Sequence, residues 1–173
     1  AYSVASWENV EKSGFYPLKS SVFRGINNAT LDNKGRMALP SRNRDTFALA
    51  CDGKVVVTID MRESCLLLYP LPEWEVVQRK LEDLSNINPQ ARLLQRLLIG
   101  HATDLELDAN GRILLPAMLR DYAGLSKKLV LVGQGNKIEI WSEDQWKESM
   151  QGWLAEDATD LIKDGDAFTG LSV

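Results

Sequence analysis

The sequence predicts an α+β fold made from one small module written twice. Three observations carry this. A fifteen-residue segment recurs at a fixed offset, short strand-like runs are punctuated by Gly and Pro, and an amphipathic helical stretch follows each hairpin pattern. Leu31–Asp45 matches Leu107–Asp121 at an offset of 76 without a gap, and eight of the fifteen positions are identical. Unrelated segments of ordinary composition share roughly one position in such a window. The match continues at an offset of 72, where Tyr69 and Trp74 align with Trp141 and Trp146.

Each copy starts with a short strand that runs into Asp-x-x-Gly-Arg. Gly35 and Gly111 stand where a tight turn needs a positive φ. A second short strand follows, ended by Pro40 or Pro116, each of which suits the first turn of a short helix. In copy one, Lys54–Asp60 and Ser64–Tyr69 read as two buried strands around a turn at Met61-Arg62-Glu63. In copy two, Lys128–Val132 and Lys137–Trp141 form the equivalent hairpin around Gly133-Gln134-Gly135-Asn136. Pro72-Glu73 opens a helix with Trp74, Val77, Leu81 and Leu84 on one face. Ser142-x-x-Gln145 is a capping box for the helix that carries Trp146 and Met150. Between the copies, Asn88-Pro89 starts a further helix whose Leu93, Leu94, Leu97 and Leu98 read as core. The spacing sets repeat one at 26–73, a helical connector at 74–101, repeat two at 102–145, and a C-terminal helix with an acidic tail at 146–173.

Composition narrows the chemistry. The 173 residues are 45% apolar and 25% charged, as in an ordinary soluble domain. No apolar run approaches the length of a membrane helix, and no signal-peptide pattern is present. Cys51 and Cys65 are too few for a disulfide framework and lack metal-ligand spacing, so reduced thiols in a cytoplasmic protein are expected. The single histidine, His101, follows a helical pattern and reads as a helix-end residue. Nucleophile-elbow, phosphate-loop and zinc-protease patterns are absent, so neither catalysis nor a cofactor is expected. Asp104 and Glu106 alternate with Leu105 and Leu107 and read as the wet face of a strand.

Charge at first argues against nucleic acid: 20 basic residues face 24 acidic ones, a net of −4. The excess acid lies at the end, however. Residues 139–173 carry a net of −7, while residues 1–138 carry +3. Within 22–45 the basic groups are Arg24, Lys34, Arg36, Arg42 and Arg44, against Asp32 and Asp45. Copy two offers Asn110, Met118 and Leu119 in this neighbourhood, so its loop reads as closer to scaffold. The repeated Asp-x-x-x-Arg has two readings. Either Asp32 and Asp108 shape the turn and the arginine caps it, or the arginine is displayed at the loop tip for phosphate or guanine.

The repeated Asp-x-x-x-Arg, the string from Cys65 to Trp74 and Leu97-Leu98-Ile99-Gly100-His101-Ala102 together resemble the MraZ family of bacterial transcriptional regulators. The resemblance runs from Phe23 to about Trp153. It implies two tandem AbrB-type swapped-hairpin, double-psi-like β half-barrels with amphipathic helices packed outside. It also implies a ring-shaped homo-oligomer, nucleoid-associated, that binds short tandem repeats in double-stranded promoter DNA and represses its own cell-division and cell-wall operon. The family's DNA-binding arginine falls on Arg36, with Lys34, Arg24, Arg42, Arg44 and Arg112 as further contacts. Asp32, Gly35, Asp108 and Gly111 are expected to shape the loops. Family members begin near Val22, so residues 1–22 are expected to be an extension, disordered or introduced by cloning. The rival to a DNA-binding regulator is an AbrB-type antitoxin or protein-interaction module, since such domains also occur there. An enzyme would rest on fold analogy alone.

Overall fold

A computed structural model describes residues 22–156. Its elements are β1 (Phe23–Thr30), β2 (Arg36–Ala38), α1 (Ser41–Cys51), β3 (Lys54–Ile59), β4 (Leu66–Pro70), α2 (Leu71–Glu82), α3 (Pro89–His101), β5 (Thr103–Glu106), β6 (Arg112–Leu114), α4 (Ala117–Tyr122), β7 (Lys128–Gly135), β8 (Ile138–Ser142) and α5 (Glu143–Ala155). Apart from α3, the second half repeats the first element by element. The expected extension (up to residue 21) and most of the acidic tail (from residue 157) lie outside the described residues.

The fold is mixed α+β with an antiparallel sheet, and the two repeats are interleaved. The main sheet has six strands in the order β1-β7-β8-β4-β3-β5. The first strand of each repeat pairs with the hairpin of the other: β1 runs beside β7 from Phe23↔Gly135 to Thr30↔Lys128, and β5 runs beside β3 from Lys54↔Glu106 to Val57↔Thr103. A separate two-stranded ribbon joins β2 to β6 through Met37↔Ile113.

The apolar runs in β3, β4, β7 and β8 are continuous because both faces of these strands are covered. On one face Val55, Val57, Leu66, Leu68, Leu129, Leu131, Ile138 and Ile140 meet Met37 and Ile113 of the ribbon and Phe47 and Leu119 of α1 and α4. The opposite face carries two smaller clusters. Val56, Leu67 and Tyr69 pack with Trp74, and Cys65, Val130 and Trp141 pack with Trp146. The aromatic pair repeated in the sequence is thus the same contact made twice, with ring centroids 5.7 Å apart for Tyr69–Trp74 and 5.5 Å for Trp141–Trp146. Thr58, fully buried, donates to Leu98 O at 2.7 Å, which ties α3 to the sheet.

Four local expectations shift. Pro40 and Pro116 sit at the cap position before their helices, with φ near −55° and −58°, instead of within the first turn. β7 extends past Val132 to Gly135, so Gly133 and Gln134 belong to the strand. A Cβ on Gly133 would lie 2.4 Å from the backbone N of Arg24, so this glycine serves close strand approach, and the turn falls at Gly135, where φ is +77°. Leu84 lies beyond the end of α2 and is exposed. Leu93 is 48% exposed, because the inward stripe of α3 is Ala91, Leu94, Leu97 and Leu98, and Leu93 lies off it.

Leu68 is fully buried in β4, with β3 and β8 on either side. Leu68→Ala is expected to cost about 2–5 kcal/mol in urea denaturation, with a single transition because both repeats share that core.

Candidate nucleic-acid interface

Each Asp-x-x-x-Arg segment folds into the same closed loop. Asp32 Oδ1 accepts from the backbone N–H groups of Lys34 and Arg36, both at 2.9 Å, and Oδ2 accepts from Arg36 Nε at 2.7 Å. In the second loop Asp108 Oδ1 accepts from Asn110 N at 2.8 Å and Arg112 N at 2.9 Å, and Oδ2 accepts from Arg112 Nε at 2.8 Å. The aspartate thus holds both the turn and the guanidinium. Its carboxyl is pulled down accordingly: Asp32 falls from 3.8 to about 2, first through the Arg36 backbone N–H, with the Arg36 side chain and the Lys34 N–H adding to it against a desolvation cost. Asp108 is lowered too, again first through the backbone N–H of its own arginine, Arg112.

The two loops are locked to each other. Leu39 N donates to Gly111 O at 3.0 Å, and Leu115 N donates to Gly35 O at 2.9 Å. Gly35 and Gly111 have φ of +83° and +68°. A side chain at either would meet an arginine from the other repeat. A Cβ on Gly111 would lie 1.8 Å from Arg44 Cδ, and one on Gly35 would lie 2.8 Å from Arg120 Cζ. Arg44 Nη1 also donates to Asn110 O at 3.3 Å, and Arg120 Nε to Leu115 O at 3.0 Å. Arg120 is the counterpart of Arg44 at the offset of 76, so the second loop keeps a basic flank that the sequence comparison passed over. The signal was there, since this arginine is one of the eight identities.

The ribbon decides what is displayed. Met37 and Ile113 face the core, so by alternation Arg36, Ala38, Arg112 and Leu114 face outward. Arg36 stands opposite Leu114, and Arg112 opposite Ala38. The two arginines are therefore diagonal neighbours, their α-carbons about 7–8 Å apart. Only Nε of each guanidinium is engaged among the described residues, which leaves the Nη groups open. Lys34 is exposed on the first loop, and Arg42 is exposed on the first turn of α1. Arg44 is half-buried with its stem laid on Gly111. Arg24 is not brought to this surface: it lies at the far end of β1, roughly 20 Å along the strand from Thr30, where the chain enters the first loop.

Comparison with known proteins gives the context. The family model described as "MraZ protein, putative antitoxin-like" matches residues 22–97 and again 98–163. The chain belongs to the MraZ family. The double match falls on the two halves that the strand pairing interleaves. Among MraZ relatives, the transcriptional regulator MraZ of Alkalilimnicola ehrlichii is 56% identical over 143 residues, covering 83% of this chain and 95% of its own length. That of Thioalkalivibrio sulfidiphilus is 57% identical over 136 residues, 79% of this chain and 90% of its own. That of a Marinomonas species is 57% identical over 142 residues, 82% and 94%.

Gly111→Ala is expected to destabilise the chain by about 1–3 kcal/mol, from backbone strain and the displaced Arg44. Adding Arg44→Ala should recover only the steric part, which thermal melts of the single and double variants would separate. The Asp32 carboxyl is lower in the folded loop than in the unfolded chain. Its contribution is present above the ordinary value of 3.8 and is lost as pH falls through about 2. A carboxyl-carbon NMR titration of Asp32 should therefore show a midpoint well below that of exposed aspartates, and Arg36→Ala should raise it.

Proposed function

We propose that this protein is a DNA-binding transcriptional regulator that reads DNA with the β2–β6 ribbon and its two loops. The observation that carries the reading is the diagonal display of Arg36 and Arg112 on one outward face, each with open Nη groups and each aimed by its own aspartate. A two-stranded ribbon fits the major groove, and an arginine with two free donors suits the O6/N7 edge of guanine or a phosphate. Lys34 and Arg42 add phosphate contacts beside Arg36, and Arg24, at the end of β1, reaches DNA only where the duplex continues past the loops. Arg44 serves the interface by bracing the second loop. The names of the relatives support regulation of transcription.

The finer reading follows from the same features. The exchanged first strands support the AbrB-type swapped-hairpin half-barrel, with repeats at 26–73 and 102–145 joined by 74–101. One ribbon per chain makes few contacts, so a ring of copies aligned with tandem promoter repeats supplies the affinity through effective concentration. Repression of the protein's own cell-division and cell-wall operon, in the nucleoid of the cytoplasm, completes the proposal. Among the described residues no helix is long and apolar enough to cross a membrane.

Gel shifts on the promoter region test this. Arg36→Ala is expected to weaken specific binding about 5- to 150-fold, the loss of one bidentate contact of about 1–3 kcal/mol, with circular dichroism unchanged. Binding should also weaken steeply with salt. Unchanged affinity in both Arg36→Ala and Arg112→Ala overturns the assignment, and a shift that needs a second protein favours the antitoxin class. Mass photometry reads the subunit count.

A further inference from the structure

A second cluster lies on the sheet away from the loops. Asp60 directly follows β3, Cys65 precedes β4 and Glu139 lies in β8, so the three come from both repeats. One donor atom of each, two carboxylate oxygens and the Cys65 Sγ, lie within 4.8 Å of one another. Cys65 is fully buried, Glu139 is 8% exposed and Asp60 is half-buried. The backbone holds them there. Asp60 N donates to Cys65 O at 3.0 Å across the turn, and β4 pairs with β8 through Leu67↔Glu139.

The two carboxylates are already oriented. Asp60 Oδ1 accepts from Arg62 N at 2.8 Å and Glu63 N at 3.0 Å, and Trp141 Nε1 donates to Glu139 Oε2 at 2.9 Å. Hydrogen bonds of this kind fix ligand carboxylates in metal sites. Among the described residues no salt bridge reaches the cluster, and the cation near it is Lys137, which acts on Glu139 through space. The ion pairs among the described residues are Asp32–Arg36, Asp108–Arg112 and Glu143–Lys147, and none involves these three acids. The buried Cys65 Sγ makes no hydrogen bond among the described residues, although it faces both carboxylates. One thiol and two carboxylates that converge at a largely buried place form a donor set that a single cation can share.

We propose that Asp60, Cys65 and Glu139 bind one Zn²⁺-class divalent cation. The donor set is one thiolate and two carboxylates, which suits Zn²⁺ and disfavours Mg²⁺ and Ca²⁺ because of the sulfur. At bond lengths of about 2.0–2.3 Å, tetrahedral ligand atoms lie about 3.3–3.8 Å apart, so side-chain shifts of roughly 1 Å close the site. The fourth position is left for water. Binding releases the thiol proton, and that of Glu139 where it is protonated, to solvent. The cation would staple the Met61–Ser64 turn of repeat one to β8 of repeat two.

The test uses the whole chain, stripped with chelator and titrated with Co²⁺ and then Zn²⁺. The expected result is a thiolate-to-cobalt charge-transfer band that saturates at one equivalent, disappears on Zn²⁺ addition, and accompanies a rise in Tm. Cys65→Ser should abolish the band, Glu139→Gln should weaken Zn²⁺ binding by more than about 10-fold, since losing even a group that only orients a ligand costs that much, and Cys51→Ser should change neither. No band and no Zn²⁺-dependent shift in Tm overturns the proposal, as does a band lost in Cys51→Ser and kept in Cys65→Ser. Should Cys65→Ser not fold, unchanged Zn²⁺ affinity in both Glu139→Gln and Asp60→Asn overturns it equally. The readout is independent of DNA binding.

Discussion

The pairing of β2 with β6 is the constraint on which the rest of this structure depends. It places two glycine turns back to back, where the carbonyl of each accepts a backbone N–H from the other repeat. A side chain at either glycine would strike Arg44 or Arg120. With this ribbon in place, Met37 and Ile113 close one face of the core, and the outward face is left to Arg36 and Arg112. Neither repeat can build this ribbon alone, because each loop closes on its own aspartate but the partner of its glycine carbonyl and its arginine cover come from the other repeat.

Local charge then acts within a fixed geometry. Asp32 and Asp108 do not simply cancel the arginines they hold. Each uses one oxygen for backbone N–H groups and the other for Nε, so the guanidinium is oriented with its remaining donors outward. Holding a long side chain in place beforehand lowers the ordering cost when a ligand binds. A net charge of −4 for the chain says little about such a surface, since the excess acid lies past residue 138.

The two faces of the six-stranded sheet differ in what they hold. One joins the repeats through a continuous aliphatic core beneath the ribbon. The other carries separate aromatic clusters under α2 with α3 and under α5, each centred on a repeated aromatic pair. Asp60, Cys65 and Glu139 lie at the second of these, where strands of both repeats meet.

The sequence by itself determined the repeat, the element types and the loop chemistry, because these depend on neighbours within a few residues. Asp-x-x-Gly-Arg specifies a turn whose aspartate reaches its own backbone, and the aromatic pairs mark where a helix returns to its hairpin. It did not show which strand pairs with which. A repeat looks the same on paper whether β1 joins its own hairpin or that of the other copy, and only the shared core decides. Gly133 read as a turn residue because its partner, Gly25, is more than a hundred positions away. Arg44 read only as a further DNA contact, since the glycine it covers belongs to the other repeat. Asp60 and Cys65 were unremarkable in sequence until β8 brought Glu139 beside them. Long-range placement is a property of the packed chain, in which burial and backbone pairing are satisfied together, and no local pattern encodes it.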